Sequence, residues 1–132
     1  MNRNENAQQD TLKSAGAGAI LIYDDPGMAR VLGRILDKLL DERENRPVVV
    51  QAKSAKQAWV MLNVANIAIF FVGGKPGEQM GLLAAKAPAG VKVVVVSCRE
   101  EAKQIAHAAF IEKSPSGLQD RVRNVLEEFL PA

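Results

Sequence analysis

Five short apolar runs punctuate this chain, and none is long enough to be a helix. They are AILIY at 19–23, VVVQA at 48–52, IAIFFV at 67–72, VKVVVVS at 91–97 and FIE at 110–112. Continuous apolar runs rich in β-branched residues read as strands buried on both faces. The intervening segments carry helical period. GMARVLGRILDKLLDER at 27–43 places Met28, Val31, Leu32, Ile35, Leu39 and Leu40 on one side, with Arg30, Arg34, Asp37, Lys38 and Asp41 mostly on the other. Ser54 and Gln57 read as a capping box opening a helix over 55–65. Helices are also predicted over 78–87, stopped by Pro88 and Gly90, and over 99–109. A last helix follows SPSG and carries the stripe Leu118, Val122, Val125, Leu126 and Phe129.

Five strands alternating with five helices predict an α/β fold, a doubly wound parallel sheet. The connections are too long for hairpins and fit right-handed crossovers. In the flavodoxin-like strand order 2-1-3-4-5, ligands meet the sheet outside the carboxyl ends of strands one and three. Asp24 and Asp25 leave strand one at that edge, Val72 and Gly73 leave strand three beside them, and Ser97 and Lys113 end strands four and five. A length of 132 residues favours one domain, taken as 17–132 behind a flexible lead at 1–16. A net charge of +2 gives no electrostatic case for nucleic acid or membrane. The lead lacks the apolar core of a signal peptide, and the lone Cys98 excludes an internal disulfide and fits a reducing, cytoplasmic setting. One Cys and one His, His107, cannot build a structural zinc site.

Single residues have plain readings as well. Asp25 is suited to cap a helix that begins at Pro26. GGKPG at 73–77 lacks the spacing and the hydroxyl residue of a phosphate loop and reads as a turn. Cys98 reads as a buried inert thiol, His107 as a surface or capping residue, and Trp59 as packing on the second helix.

Taken together, ILIYDDPGMARVL, VVVVS and FIEKSP resemble the receiver domain of bacterial two-component response regulators, the CheY-like fold, over residues 18–130. That resemblance implies roles. Asp24 and Asp25 match the acidic pair that holds magnesium. Ser97 matches the hydroxyl that bonds an acylphosphate, Lys113 the lysine that pairs with it, and Phe110 the aromatic switch.

Strand three departs from the pattern. Counting from Asn66 puts Phe71 at the phosphoacceptor position, and counting back from Pro76 puts Val72 there. No Asp, Glu, Ser, Thr or His lies between Ile67 and Gly77. Strand five departs too, since Ser114 separates Lys113 from Pro115; a cis bond before Pro115 stays open. Magnesium needs near-octahedral oxygen coordination, so losing the central carboxylate leaves at most a weak site at Asp24 and Asp25. The acidic pair then reads as an ion-pair cluster with Lys113. The expected function is that of a pseudo-receiver with no cofactor and no enzymatic activity. It would signal by protein–protein contact, through the face built from the fourth helix, fifth strand and fifth helix at 99–130. Its partner would be a histidine kinase, an output protein or a second copy. One alternative is a working receiver that takes its phosphoryl group on Asp24 or Asp25. Another, from a different class, is a small nucleotide- or anion-binding protein using GGKPG and Lys113.

Overall fold

All five apolar runs form strands, and all pair in parallel: β1 (Ala19–Tyr23), β2 (Val48–Gln51), β3 (Ile67–Gly73), β4 (Lys92–Ser97) and β5 (Ala109–Glu112). Their spatial order is β2-β1-β3-β4-β5, as expected for the doubly wound fold. The computed structural model describes residues 18–41, 43–73, 78–105 and 107–130. The lead predicted at 1–16 and residues 74–77 of the GGKPG turn lie outside the described residues.

Among the described residues four α-helices cover the sheet: α1 (Pro26–Leu40), α2 (Ala55–Val64), α3 (Glu78–Lys86) and α4 (Leu118–Phe129). Side chains alternate between two cores. Ile20, Ile22, Ile69, Phe71, Val94 and Val96 point toward α1 and α4 and meet Leu32, Leu36, Leu40, Val122 and Leu126. Leu21, Phe70, Val72, Val93 and Val95 point the other way, onto Met61 and Leu62 of α2 and Met80 and Leu83 of α3. Among the described residues no helix is long and apolar enough to cross a membrane.

The local signals act where they were read. Asp25 caps α1 by accepting from Met28 N–H, with Pro26 in the first turn. Ser54 Oγ accepts from Gln57 N–H at 3.0 Å, and Gln57 Oε1 accepts from Lys53 N–H at 2.6 Å. Gln57 thus reaches the residue before the Ser54 cap, and α2 begins at Ala55.

Two expectations change. The buried stripe of α1 is Ala29, Leu32, Gly33, Leu36 and Leu40, so Val31 stands 44% exposed and Leu36 takes a place the sequence reading left out. Small Ala29 and Gly33 let the helix lie closer to the sheet than larger residues would. The predicted helix over 99–109 is only a 3-10 turn at Glu100–Gln104. Arg99 offers it no side-chain cap, and Ala108 N–H is already bonded to Val93 O at 2.8 Å. The sheet claims the chain before a second helical turn can form. The peptide bonds among the described residues are all trans, the one before Pro115 included.

Phe71 is fully buried, whereas Val31 is open to solvent on the same side of the sheet. Phe71→Ala should lower unfolding free energy by about 3–5 kcal/mol, and Val31→Ala by less than about 0.5 kcal/mol. Urea denaturation of both variants checks the pair.

Candidate functional site

The carboxyl edge of the sheet gathers Asp24 and Asp25 from the end of β1 and Lys113 from the end of β5. Lys113 Nζ lies 2.9 Å from Asp24 Oδ1 and 3.4 Å from Asp25 Oδ2. Lys113 reaches this place because its backbone N–H still bonds Ser97 O at 3.0 Å, which extends the β4–β5 ladder by one residue. The ion pair spans residues 89 apart in sequence and crosses the ends of β3 and β4.

The two carboxylates are not equivalent. Asp24's side chain is wholly enclosed, while Asp25's is 56% exposed. Asp24 Oδ1 accepts from Asp25 N–H at 2.7 Å and from Lys113, but Oδ2 has no hydrogen-bond partner among the described residues. Burial raises Asp24's pKa above the ordinary aspartate value, and the bond and charge of Lys113 only partly offset that rise. Asp25 goes the other way: the Met28 N–H it caps, helped by Asp24 and Lys113, holds its pKa below the ordinary value.

Gly73, which the sequence reading placed beside the acidic pair, sits against Asp24. A Cβ on Gly73 would lie 2.0 Å from Asp24 Oδ2 and 2.9 Å from Val96 O. Asp24 therefore fills the space a side chain at the end of β3 would take. Phe71 and Val72, the two positions counted from the sequence, are instead fully buried in opposite cores. Both lie on the central strand, covered by helices on each face, and the strand pair also carries an irregularity lower down. Ala19 aligns with Ile67 but Ile20 aligns with Ile69, so β3 carries one extra residue at Ala68. Tyr23 then meets Val72, and Gly73 beyond it lies against the Asp24 carboxylate. A bulge of this kind leaves no mark in a run of alternating apolar residues. The glycine ending the run beside a carboxylate was the available signal.

Ser97 is buried at the end of β4, but its Oγ accepts from Arg99 N–H at 3.1 Å and makes no bond to the ion pair among the described residues. Phe110 is half-buried against the α2–α3 core, with Lys103 Nζ 5.6 Å from its ring centroid and the His107 ring 6.1 Å away. His107 is exposed in the stretch leading to β5, its Nδ1 against Ile105 O. Cys98 is exposed rather than buried, because it follows the last residue of β4 in a bend.

On the β2 side of the acidic pair the surface opens into a cavity of about 790 Å3 lined by Asp24, Asp25, Arg30, Gln51, Lys53 and Met80, among others. Gln51 Nε2 donates to Ala29 O at 3.2 Å and ties β2 to α1 there. The donor set fits magnesium poorly. Both carboxylates are engaged by the Lys113 ammonium, one oxygen of Asp24 is sealed against Gly73, and no cluster of three or more His, Cys, Asp or Glu occurs among the described residues.

Solved structures of response regulators share this doubly wound α/β fold. The phosphorylated cyanobacterial phytochrome response regulator RcpA superposes with a TM-score of 0.65 at 17% identity, covering 86% of this chain and 98% of that one. HP1043, an orphan response regulator of H. pylori, gives 0.62 at 15% identity, covering the same 86% and 98%. No family model matches the sequence, and no curated protein does.

Two outcomes follow. Gly73→Ala should cost about 1–3 kcal/mol by overpacking, since Asp24 or the β4 backbone must yield; thermal denaturation reads it. In a carboxyl NMR titration Asp24 should titrate above 3.8 and Asp25 below it. For Asp24 the folded value is raised, so its contribution to stability is complete below the unfolded value and is lost as pH rises through the folded one. For Asp25 the folded value is lowered, so its contribution is present above the unfolded value and is lost as pH falls through the folded one. The two slopes oppose each other, and observing both groups on one side of the ordinary value would contradict the assignment.

Proposed function

We propose that this chain is a receiver-type signalling module that acts by protein–protein contact and has given up the aspartyl-phosphate switch. One observation carries the reading. β3 carries no acid, hydroxyl or imidazole side chain, and at its end stands Gly73, with the enclosed Asp24 carboxylate filling the adjoining space. Phosphoryl transfer needs an accessible carboxylate oxygen aligned with the donor and charge neutralisation around it. Asp24 is enclosed and Lys113 is already spent on the acidic pair. The Lys113 ion pair acts as a fixed counter-charge in place of magnesium, so the module needs no cofactor and performs no catalysis.

The partner in this reading is a signalling protein, such as a histidine kinase or an output protein, met in the cytoplasm. It docks on the face formed by the 3-10 turn, β5 and α4, where a second copy could also pair. Half-buried Phe110, boxed by Lys103 and His107, stays in one arrangement on that face rather than switching.

Intact-mass measurement after incubation with magnesium and a small acyl phosphate tests the central claim. The protein should return unmodified. A hydrolysis-labile phosphoryl adduct mapped to Asp24 or Asp25 would overturn it in favour of a displaced acceptor. A second outcome concerns stability: Lys113→Met should destabilise the fold by about 3 kcal/mol, because it strands a buried carboxylate, whereas a lysine serving only a transient acylphosphate would be nearly neutral to fold stability.

A further inference from the structure

The opposite flank of the molecule carries an open apolar groove between α2 and α3. Its walls are Ala55, Lys56 and Trp59 from α2 and Leu82, Leu83 and Lys86 from α3, around a space of about 240 Å3. Trp59 is 40% exposed and Leu82 47% exposed, so Trp59 is not the packing residue its sequence context suggests. The other large exposed apolar residues, Val31 and Val64, do not line it. Scattered apolar residues are ordinary on a surface, but an exposed tryptophan and leucine sharing one groove mark a contact site. Tryptophan in a pocket is the side chain that most often carries an interface.

The charges around the groove have one sign. Lys56 and Lys86 are exposed on its two walls, and no acidic side chain lines it among the described residues. Lys86 Nζ lies 5.2 Å from the Trp59 ring centroid, which holds a cation at the mouth of the groove. An apolar slot between cationic walls fits an amphipathic segment whose apolar anchors are flanked by carboxylates. A second copy of this chain offers no such segment among its described residues. Its remaining exposed large apolar residues are Val31, which sits between Arg30 and Arg34, and Val64, which has no acidic residue near it in sequence.

We infer that the α2–α3 groove is a docking site for an acidic amphipathic helix of another protein, with Trp59 and Leu82 as the apolar floor and Lys56 and Lys86 as the charge clamp. This surface is distinct from the face at 99–130 and does not rest on how the acidic pair behaves. It gives the module a second contact, so that two proteins can be held at once.

Trp59 is the only tryptophan, so its emission reports this groove alone. The probe is a synthetic helical peptide with leucines at i, i+3, i+4 and i+7 and glutamates on both flanks; the control has lysines in place of the glutamates. The glutamate peptide should give a saturable blue shift and the lysine peptide none. Lys56→Glu with Lys86→Glu should weaken the glutamate peptide more than about tenfold and let the lysine peptide bind. Leu82→Ser, an exposed change that leaves the fold intact by circular dichroism, should also weaken binding. Equal responses to both peptides, or no response to either, would overturn the inference. A blue shift that grows with protein concentration alone, matched by a dimer in sedimentation, would overturn it in favour of a second copy.

Discussion

A single enclosed carboxylate, Asp24, sets the character of the carboxyl edge. A charge taken out of water must be neutralised, protonated or paired, and the chain uses pairing. Lys113 can supply the partner only if β5 lies beyond β4 on the far side of β3, and if the ladder extends one residue past Glu112. Gly73 must have no side chain, or Asp24 would lose its place. Asp25 must turn its own carboxylate toward the start of α1, where Met28 N–H holds it, so that two adjacent acids do not compete for the same cation alone. Strand order, a glycine and a helix cap are thus tied to one ion pair.

That arrangement also explains why the acidic pair is not redundant. Like charges on neighbouring residues repel, and the structure separates their environments instead of their positions. One carboxylate is desolvated and pushed toward neutrality, and the other is partly hydrated and stabilised as an anion by a helix N-terminus. A metal ion would treat both as ligands of one centre. An ammonium held at 2.9 and 3.4 Å treats them as a primary and a secondary partner, and this asymmetry suits a permanent cross-link better than a reversible cation site.

The fold was legible because its signals are redundant. Five apolar runs, their spacing and two capping pairs each point to the same doubly wound sheet, and tertiary packing had only to agree. The pairing of Asp24, Asp25 and Lys113 was legible too, since strand order alone brings their strand ends to one edge. The sequence reading set Gly73 beside the acidic pair, but did not show that the Asp24 carboxylate fills the place of a side chain there. The extra residue at Ala68 upsets a count run forward from Asn66, and the count back from Pro76 crosses residues 74–77, outside the described residues. The short 3-10 turn in place of a helix was missed for a related reason. REEAKQIAHAA has good helical composition, but a hydrogen bond from Ala108 to Val93 recruits its end into the sheet, and composition does not report that competition.

A fixed ion pair changes what the rest of the molecule must do. A receiver that switches needs an element with two arrangements of nearly equal energy, coupled to the event at its site. Here Lys113 is ion-paired with both aspartates, and Phe110 packs beside Lys103 and His107. Under the proposed function, information enters as occupancy: which partner is bound, and where. In that reading the proposed contact face on β5 and α4 and the inferred groove between α2 and α3 let occupancy at two surfaces be read together. The free-energy coupling between them is limited to what a stiff core transmits, so the module is better suited to holding two partners side by side than to making one alter the affinity of the other.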